Sequence, residues 1–367
     1  MELFETGNYR MDKGRKKIGL LTLWKNSNHG TALQAYALSV AISNMGWPAE
    51  YILYNSRQFL CLTDKLRIFI DKLIYFFKGG FVKSDLNVSN SYLPLMEFWD
   101  SIPHSSVIFN KRNCCESIKF YCKYIVGGDQ VWNRNITRVN SFYFLDFIDD
   151  NVSKYSYSPS FGSAHLSLNY KKILVNQLSS FKYIGCRDIS HSIQMQQILH
   201  KKVVNTVDPV LLLSKDVWHN FSKEVPSLPN KYLLCYELGN RNSLRKYAEL
   251  EAQSNKLDLI YMSVSTCNVN LSEISPANFV YMFENADYVV TDSYHGILFS
   301  IIFSKTFTPF LKRRGDETSF DNWRIYELCN SLDIQIGSPS SVNKINIDKL
   351  NAKIENSKVF LQSILDI

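Results

Sequence analysis

The chain has 367 residues, 46% hydrophobic, 20% charged and 14% aromatic, enough for two domains with buried cores and inconsistent with general disorder. A formal net charge of +7, from 41 Lys and Arg against 34 Asp and Glu, is too mild for a nucleic-acid footprint but suits an anionic substrate or an acidic inner-membrane surface. The sequence shows no signal-peptide core and no apolar run of membrane-spanning length, and its eight Cys contain no CxxC pair, so reduced thiols in a cytoplasmic protein are expected, with no zinc spacing or disulfide framework.

Lys17 to Trp24 (KIGLLTLW) reads as a first strand, followed by a polar loop, Asn26 to Gly30. The helix after it carries an apolar stripe of Leu33, Ala37, Val40, Ala41 and Met45, and Gly46 and Pro48 stop it. Glu50 to Tyr54 is the next strand. This βαβ opening lacks a GxGxxG, so no dinucleotide site is indicated. Its loop either faces a ligand through Asn28, Gly30 and the helix N-terminus, or simply connects.

Phe59 to Lys83 spaces Leu62, Leu66, Phe69, Leu73 and Phe76 helically among Lys65, Arg67, Lys72 and Lys78. Such a stripe packs on the core or a second copy, or lies as a basic amphipathic helix on the inner membrane face. Lys123 to Val126 is a strand entering GGDQVWNRN. Two glycines there allow close backbone approach, and Asp129, Gln130 and Asn133 surround Trp132 with the polar groups and aromatic face that a sugar needs. The other reading is a capped turn over a buried Trp.

Lys154 to Ser158 is a strand running into PSFG, and Tyr183 to Cys186 is another that delivers Arg187 and Asp188. A guanidinium at a strand end suits phosphate or carboxylate. Val203 to Val207 is closed by Asp208-Pro209, and the two prolines of Ser222 to Asn230 mark a linker. Strand and helix then alternate through Tyr232–Tyr236, Leu244–Gln253 and Leu259–Val264 to a helix opened by Ser275-Pro276.

The stretch ADYVVTDSYHGILFSIIF is the centre of the chain. Tyr288, Val289 and Val290 form a buried strand; Thr291, Asp292 and Ser293 a capping turn; and the residues from Gly296 a helix buried nearly all round. His295 therefore stands at a strand's C-terminal end and a helix N-terminus, where open α/β sheets bind ligands and anions are favoured. The plainer alternative is a hydrogen-bonded turn residue. A cationic loop with Arg313, Arg314 and Arg324 follows, and Val342 to Ile367 forms one or two polar helices.

The pieces NHGTALQAYAL, VGGDQVWN, SPSFG, CRD at Arg187, VDPVLLL and FENADYVVTDSYHGILFSIIF, in this order, resemble the polysaccharide pyruvyl transferase family from about Lys17 to about Leu332. The resemblance implies a GT-B-like α/β fold, two Rossmann-type domains with parallel sheets facing across a cleft. The divisions expected are 17–182 as the N-terminal, acceptor-side domain, 183–340 as the C-terminal, donor-side domain, and 341–367 as terminal helices. It implies phosphoenolpyruvate as donor, a sugar of a polysaccharide or lipid-linked oligosaccharide as acceptor, a ketal product, and no metal or cofactor. The family's essential His falls on His295, at the mouth of the inter-domain groove, and an essential Arg of the second domain on Arg187. Donor binding is expected from Asp292, Ser293, Gly296, Arg313 and Arg314, and acceptor binding from Asn28, Gly30, Asp129, Gln130, Trp132 and Asn133. Many members carry Arg two residues before the His; Ser293 stands there in this chain, so either the charge comes from Arg313 or Arg314 or the donor differs. The alternatives are a glycosyltransferase of the same architecture using a nucleotide-activated sugar, and a non-catalytic member of a polysaccharide assembly complex.

Overall fold

The structure is a computed structural model; it describes residues 16–55, 92–137, 140–149, 151–162, 165–226, 228–239, 242–264, 267–312 and 322–366. The amphipathic stretch Phe59 to Lys83, with its proposed membrane contact, lies outside these residues, as do Arg313 and Arg314.

The first part of the chain alternates β1 (Lys17–Leu21), α1 (His29–Asn44), β2 (Ala49–Tyr51), α2 (Leu93–Ser101), β3 (Tyr121–Gly127), α3 (Arg134–Thr137), β4 (Lys154–Tyr157), α4 (Leu168–Leu178), β5 (Phe181–Cys186), α5 (Ile189–Leu199) and β6 (Val203–Asn205). The six strands form one parallel sheet, ordered β2-β1-β3-β4-β5-β6. After α6 (Lys215–Phe221) come β7 (Tyr232–Tyr236), α7 (Asn242–Asn255), β8 (Asp258–Ser263), β9 (Val269–Asn270), α8 (Pro276–Asn285), β10 (Tyr288–Thr291), α9 (Tyr294–Ile302) and β11 (Thr306–Pro309). These strands make a second parallel sheet, ordered β11-β10-β7-β8-β9. The chain ends with α10 (Trp323–Ser331) and α11 (Ile347–Leu365). The central strands are apolar runs because helices cover parallel sheets on both faces; all four residues of β10 are buried.

The division expected at 182/183 is corrected by strand pairing. Ile184 pairs with Ser156 of β4 and with Val203 of β6, so residues 181–205 complete the first sheet and Arg187 belongs to it rather than to the second. The terminal helix also returns to the first sheet. Lys123 Nζ donates to the free carbonyls of Ile364 and Leu365 at the end of α11, Ser357 Oγ accepts from Val207 N at 3.0 Å, and a Cβ on Gly185 would stand 2.7 Å from the Phe360 ring.

Each sheet reverses its strand order once. In the first, the chain leaves β1 for β2 on one side and comes back to β3 on the other; in the second, the corresponding pair is β7 and β10. Loops at such a reversal part and leave a crevice beyond the strands' C-terminal ends. The loops after β1 and β3 carry NHG and GGDQ, and those after β7 and β10 carry ELG and TDSYHG.

An aromatic wedge holds the halves together. Tyr36 of α1 packs on Phe221 and Trp218 of α6 with centroids 4.7 and 6.0 Å apart, and Trp218 meets Phe299 of α9 at 5.1 Å. Each such pair adds about 0.5–1.5 kcal/mol beyond its burial, so part of the high aromatic content is spent on this junction. No helix among the described residues is long and apolar enough to cross a membrane.

Candidate active site

The two reversals meet at the N-termini of α1 and α9. Asn28 Oδ1 caps α1 by accepting from Thr31 N at 3.1 Å. His29 is buried, stacks on Phe279 of α8 and donates through Nε2 to Ile274 O at 3.1 Å, tying the first sheet's helix to the second half. Gly30 backs directly onto His295, and only a residue without a Cβ allows that approach.

On the other side, Ser293 Oγ caps α9 by accepting from Gly296 N at 3.2 Å, and its own N–H donates to Thr291 Oγ1 at 3.0 Å. Asp292 is buried and accepts from the amides of Leu238 and Gly239 at 2.7 and 2.9 Å. Burial pushes its carboxyl up to about 6, only partly offset by those amides. Gly296 lies against Thr291 and Tyr236. Asp292, Ser293 and Gly296, expected to bind the donor, hold the turn through these contacts.

His295 is 4% exposed, closed between the two helix ends rather than standing at a groove mouth, because Gly30 lets α1 pack over it. Its Nε2 lies 3.5 Å from Asp208 Oδ2, an ion-pair separation at the long edge of hydrogen bonding. Asp208 also caps the 3₁₀ turn Pro209–Leu212 by accepting from Val210 N at 3.1 Å. Arg187 Nη1 donates to the same Oδ2 at 2.8 Å. Arg187 Nη2 donates to Asp129 Oδ1 at 2.8 Å and to Ser160 Oγ at 2.7 Å. Arg324 of α10 donates to that Asp129 oxygen too, and the Tyr294 ring lies under both guanidiniums, 4.4 Å from Arg187 and 5.7 Å from Arg324.

The result is a buried relay, His295–Asp208–Arg187–Asp129–Arg324. Burial alone would raise the Asp129 carboxyl, but Arg324 and Arg187 overrule it and hold it well below the usual carboxylate range. Asp208 is likewise lowered: its burial is outweighed by His295 and then Arg187. Buried ion pairs cost desolvation and are weak stabilisers, so a network of this size at a sheet reversal points to function.

The remaining expected acceptor residues fall otherwise. Trp132 is fully buried, stacked against Phe144 at 6.0 Å with its indole donating to Tyr143 O at 3.1 Å, so it is core and not a sugar platform. Asn133 Nδ2 donates to Gln130 Oε1, and Gln130 N donates to Ser160 Oγ at 2.8 Å, which makes the segment a capped turn. Asp129 alone reaches the cluster, and there it serves the two arginines. Arg313 and Arg314 lie outside the described residues; Arg324, not expected in the site, joins the cluster through Asp129. Asp208, Ser160 and Tyr294 went unread as site residues. The one sequence signal for them was their place within VDPVLLL, SPSFG and TDSYHG. No group of three or more His, Cys, Asp or Glu that could hold a metal ion occurs among the described residues.

Two Rossmann-type parallel sheets meeting at their reversals over a buried cluster of charge define a GT-B-like α/β protein with its site at the junction. The chain belongs to the polysaccharide pyruvyl transferase family, whose profile matches residues 28–311, and it is thereby a transferase of polysaccharide biosynthesis. No curated protein matches it in sequence. Among solved structures it is similar to the UDP-GlcNAc 2-epimerase of Neisseria meningitidis bound to UDP-GlcNAc, with 12% identity, 96% of this chain and 100% of that one covered, and a TM-score of 0.49. It is also similar to the UDP-GlcNAc 2-epimerase of Methanocaldococcus jannaschii (12%, 92% and 92%, 0.46) and to MurG of Acinetobacter baumannii (8%, 96% and 91%, 0.42). All three likenesses are too distant to bear on chemistry.

Proposed function

We propose that the protein transfers pyruvate from phosphoenolpyruvate to two hydroxyls of a polysaccharide or lipid-linked sugar, closing them into a ketal. The observation that carries this is the His295–Asp208–Arg187 relay, at the junction of α1 and α9, in a chain of this family.

A proton delivered to the methylene carbon of the donor makes C2 electrophilic and turns the methylene into a methyl. One sugar hydroxyl adds to C2 and loses its proton; the C2–phosphate bond then breaks, a second hydroxyl adds, and its proton leaves with phosphate. His295 is the residue suited to this proton traffic, taking a proton from a hydroxyl and returning one to carbon. Asp208 lies beside the ring's Nε2 and orients it. Arg187 was expected to clamp an anion directly, but both terminal nitrogens are bonded to Asp208 and Asp129, so it acts mainly by fixing those carboxylates.

The test is incubation with phosphoenolpyruvate and candidate sugars, following inorganic phosphate. Release by the wild type and its loss in His295→Asn are expected; no release with the right acceptor would sink the reading. Protection against thermal unfolding by a nucleotide and not by phosphoenolpyruvate would point to glycosyl transfer. Intact function in cells with His295→Ala would point to a non-catalytic role.

A further inference from the structure

Asp208 and Tyr294, both beside His295, also line a cavity of about 460 Å³ between the ends of β5 and β6, α10 and the returning α11. Its size is that of a small-ligand pocket. The charged groups on its walls are Arg187, Lys349, Lys353 and Asp208. Arg187 is already paired with Asp208 and Asp129, which leaves Lys349 and Lys353 as the other cations of the cavity.

The Lys353 ammonium makes no hydrogen bond or ion pair with any described residue. Burial pushes its ammonium down to about 8, only partly offset by the charges of Glu327 and Asp188. The carboxylates beyond it are committed: Glu327 accepts from Ile189 N and Ser190 N at 2.9 and 2.7 Å, and Asp188 accepts from Phe161 N at 3.0 Å. Two further wall residues hold buried polar atoms with no hydrogen-bond partner, Arg187 Nε, 3.8 Å from Asp188 Oδ1, and Thr206 Oγ1. Unsatisfied buried groups are rare, and several around one cationic cavity ask for a ligand rich in acceptor oxygens.

We propose that this cavity binds the phosphoryl group of a substrate, anchored by Lys353 with Lys349 at the exposed end and Arg187 on the inner wall. It deepens, and in its choice of substrate rests on, the pyruvyl-transfer reading, which supplies two sources of that chemistry: the donor's phosphate, or the phosphate of an activated acceptor sugar. The terminal helix thereby becomes part of the binding site as well as a strap between the halves.

The experiment measures binding of inorganic phosphate and of phosphoenolpyruvate to the full chain by calorimetry and by thermal protection. Both are expected to bind the wild type and His295→Asn equally, to weaken at least tenfold in Lys353→Gln, and to recover in Lys353→Arg. Lys349→Glu, an exposed change that the fold tolerates, is expected to weaken both by a smaller factor and keeps the test open should Lys353→Gln fail to fold. Competition between phosphate and phosphoenolpyruvate assigns the group to the donor; competition between phosphate and a sugar phosphate, with phosphoenolpyruvate binding independently, assigns it to the acceptor. Lys353-dependent phosphate binding without phosphoenolpyruvate turnover supports the site and counts only against the reaction. Unchanged phosphate binding in both lysine variants, or none in the wild type, overturns the proposal.

Discussion

Gly30 and His295, from helices on different sheets, are in such close contact that a Cβ added to Gly30 would stand 2.1 Å from His295 Nδ1. The imidazole is thus aligned by the packing of α1 over α9 as well as by its own helix. Asp208 lies on the Nε2 side of the ring.

Gly30→Ala is therefore expected to push the imidazole off Asp208. A displacement near 1 Å at a reacting group costs on the order of 10²-fold in rate, so phosphate release falls by that much. Overpacking of this kind also costs about 1–3 kcal/mol of stability, because the ring that must move is buried. Steady-state kinetics beside a thermal melt read the two effects; an active, well-folded Gly30→Ala would mean that His295 need not stay where it is.

Asp208 serves two partners, Arg187 and His295, so its replacement has two readouts. Asp208→Asn leaves the Arg187 guanidinium with Asp129 and the more distant Asp188 as its remaining counter-charges, and breaking a buried pair costs about 3–5 kcal/mol in urea unfolding. Removing Arg187 as well should cost less than the sum of the single changes, since each single change strands a charge. Activity falls in Asp208→Asn by about 10²-fold or more, the usual contribution of an oriented acid–base group. A strictly additive pair would show that the bridge carries no coupling.

Much of this was legible in the sequence, for local reasons. The strand at Tyr288–Val290, the cap at Ser293 and the helix after it follow from β-branched residues, a short hydroxyl side chain and an apolar run, and they fix the place of His295 without tertiary information. The arginine at the end of Tyr183–Cys186 was readable in the same way. Its sheet was not, because membership is decided by pairing with Tyr155 and Ser156 of β4, which lie far back in the chain. Arg324 lay hidden among neighbouring arginines, since nothing in the spacing says which one the fold turns inward. Trp132 misled for the opposite reason: a Trp ringed by Asp, Gln and Asn has one composition whether the polar groups meet a sugar or each other.

Trp132 gives a direct check on that correction. Trp132→Phe keeps the ring in its stack with Phe144 and should leave the acceptor KM unchanged. Trp132→Ala empties a fully buried site and should cost about 3–5 kcal/mol of stability. A tenfold rise in acceptor KM in a stable Trp132→Phe enzyme would restore the sugar-platform reading.

The acid limb of the stability profile should divide between two buried groups of opposite sign. Burial pushes the His29 imidazole from 6.5 down to about 4, against the pull of its bond to Ile274 O. Between those values the unfolded chain binds the extra proton and the folded one does not, so this group's stability is present above pH 6.5 and lost as pH falls towards 4, on the order of 3 kcal/mol in all. Asp292 works the other way. Its carboxyl is raised from 3.8 to about 6, the folded state holds the proton longer, and its effect favours folding below pH 3.8 and wanes as pH rises through 6. The two partly cancel in the wild type. His29→Gln, an uncharged side chain that can still donate to Ile274 O, is expected to leave Asp292's slope in control, so that urea midpoints fall as pH climbs from 4 to 6. Asp292→Asn keeps one acceptor for the Leu238 and Gly239 amides and is expected to show the reverse, a protein that weakens more steeply than wild type on acidification. Parallel profiles in all three proteins would mean that neither group titrates across its buried position, and the tie that His29 makes between the two halves would then carry no pH dependence.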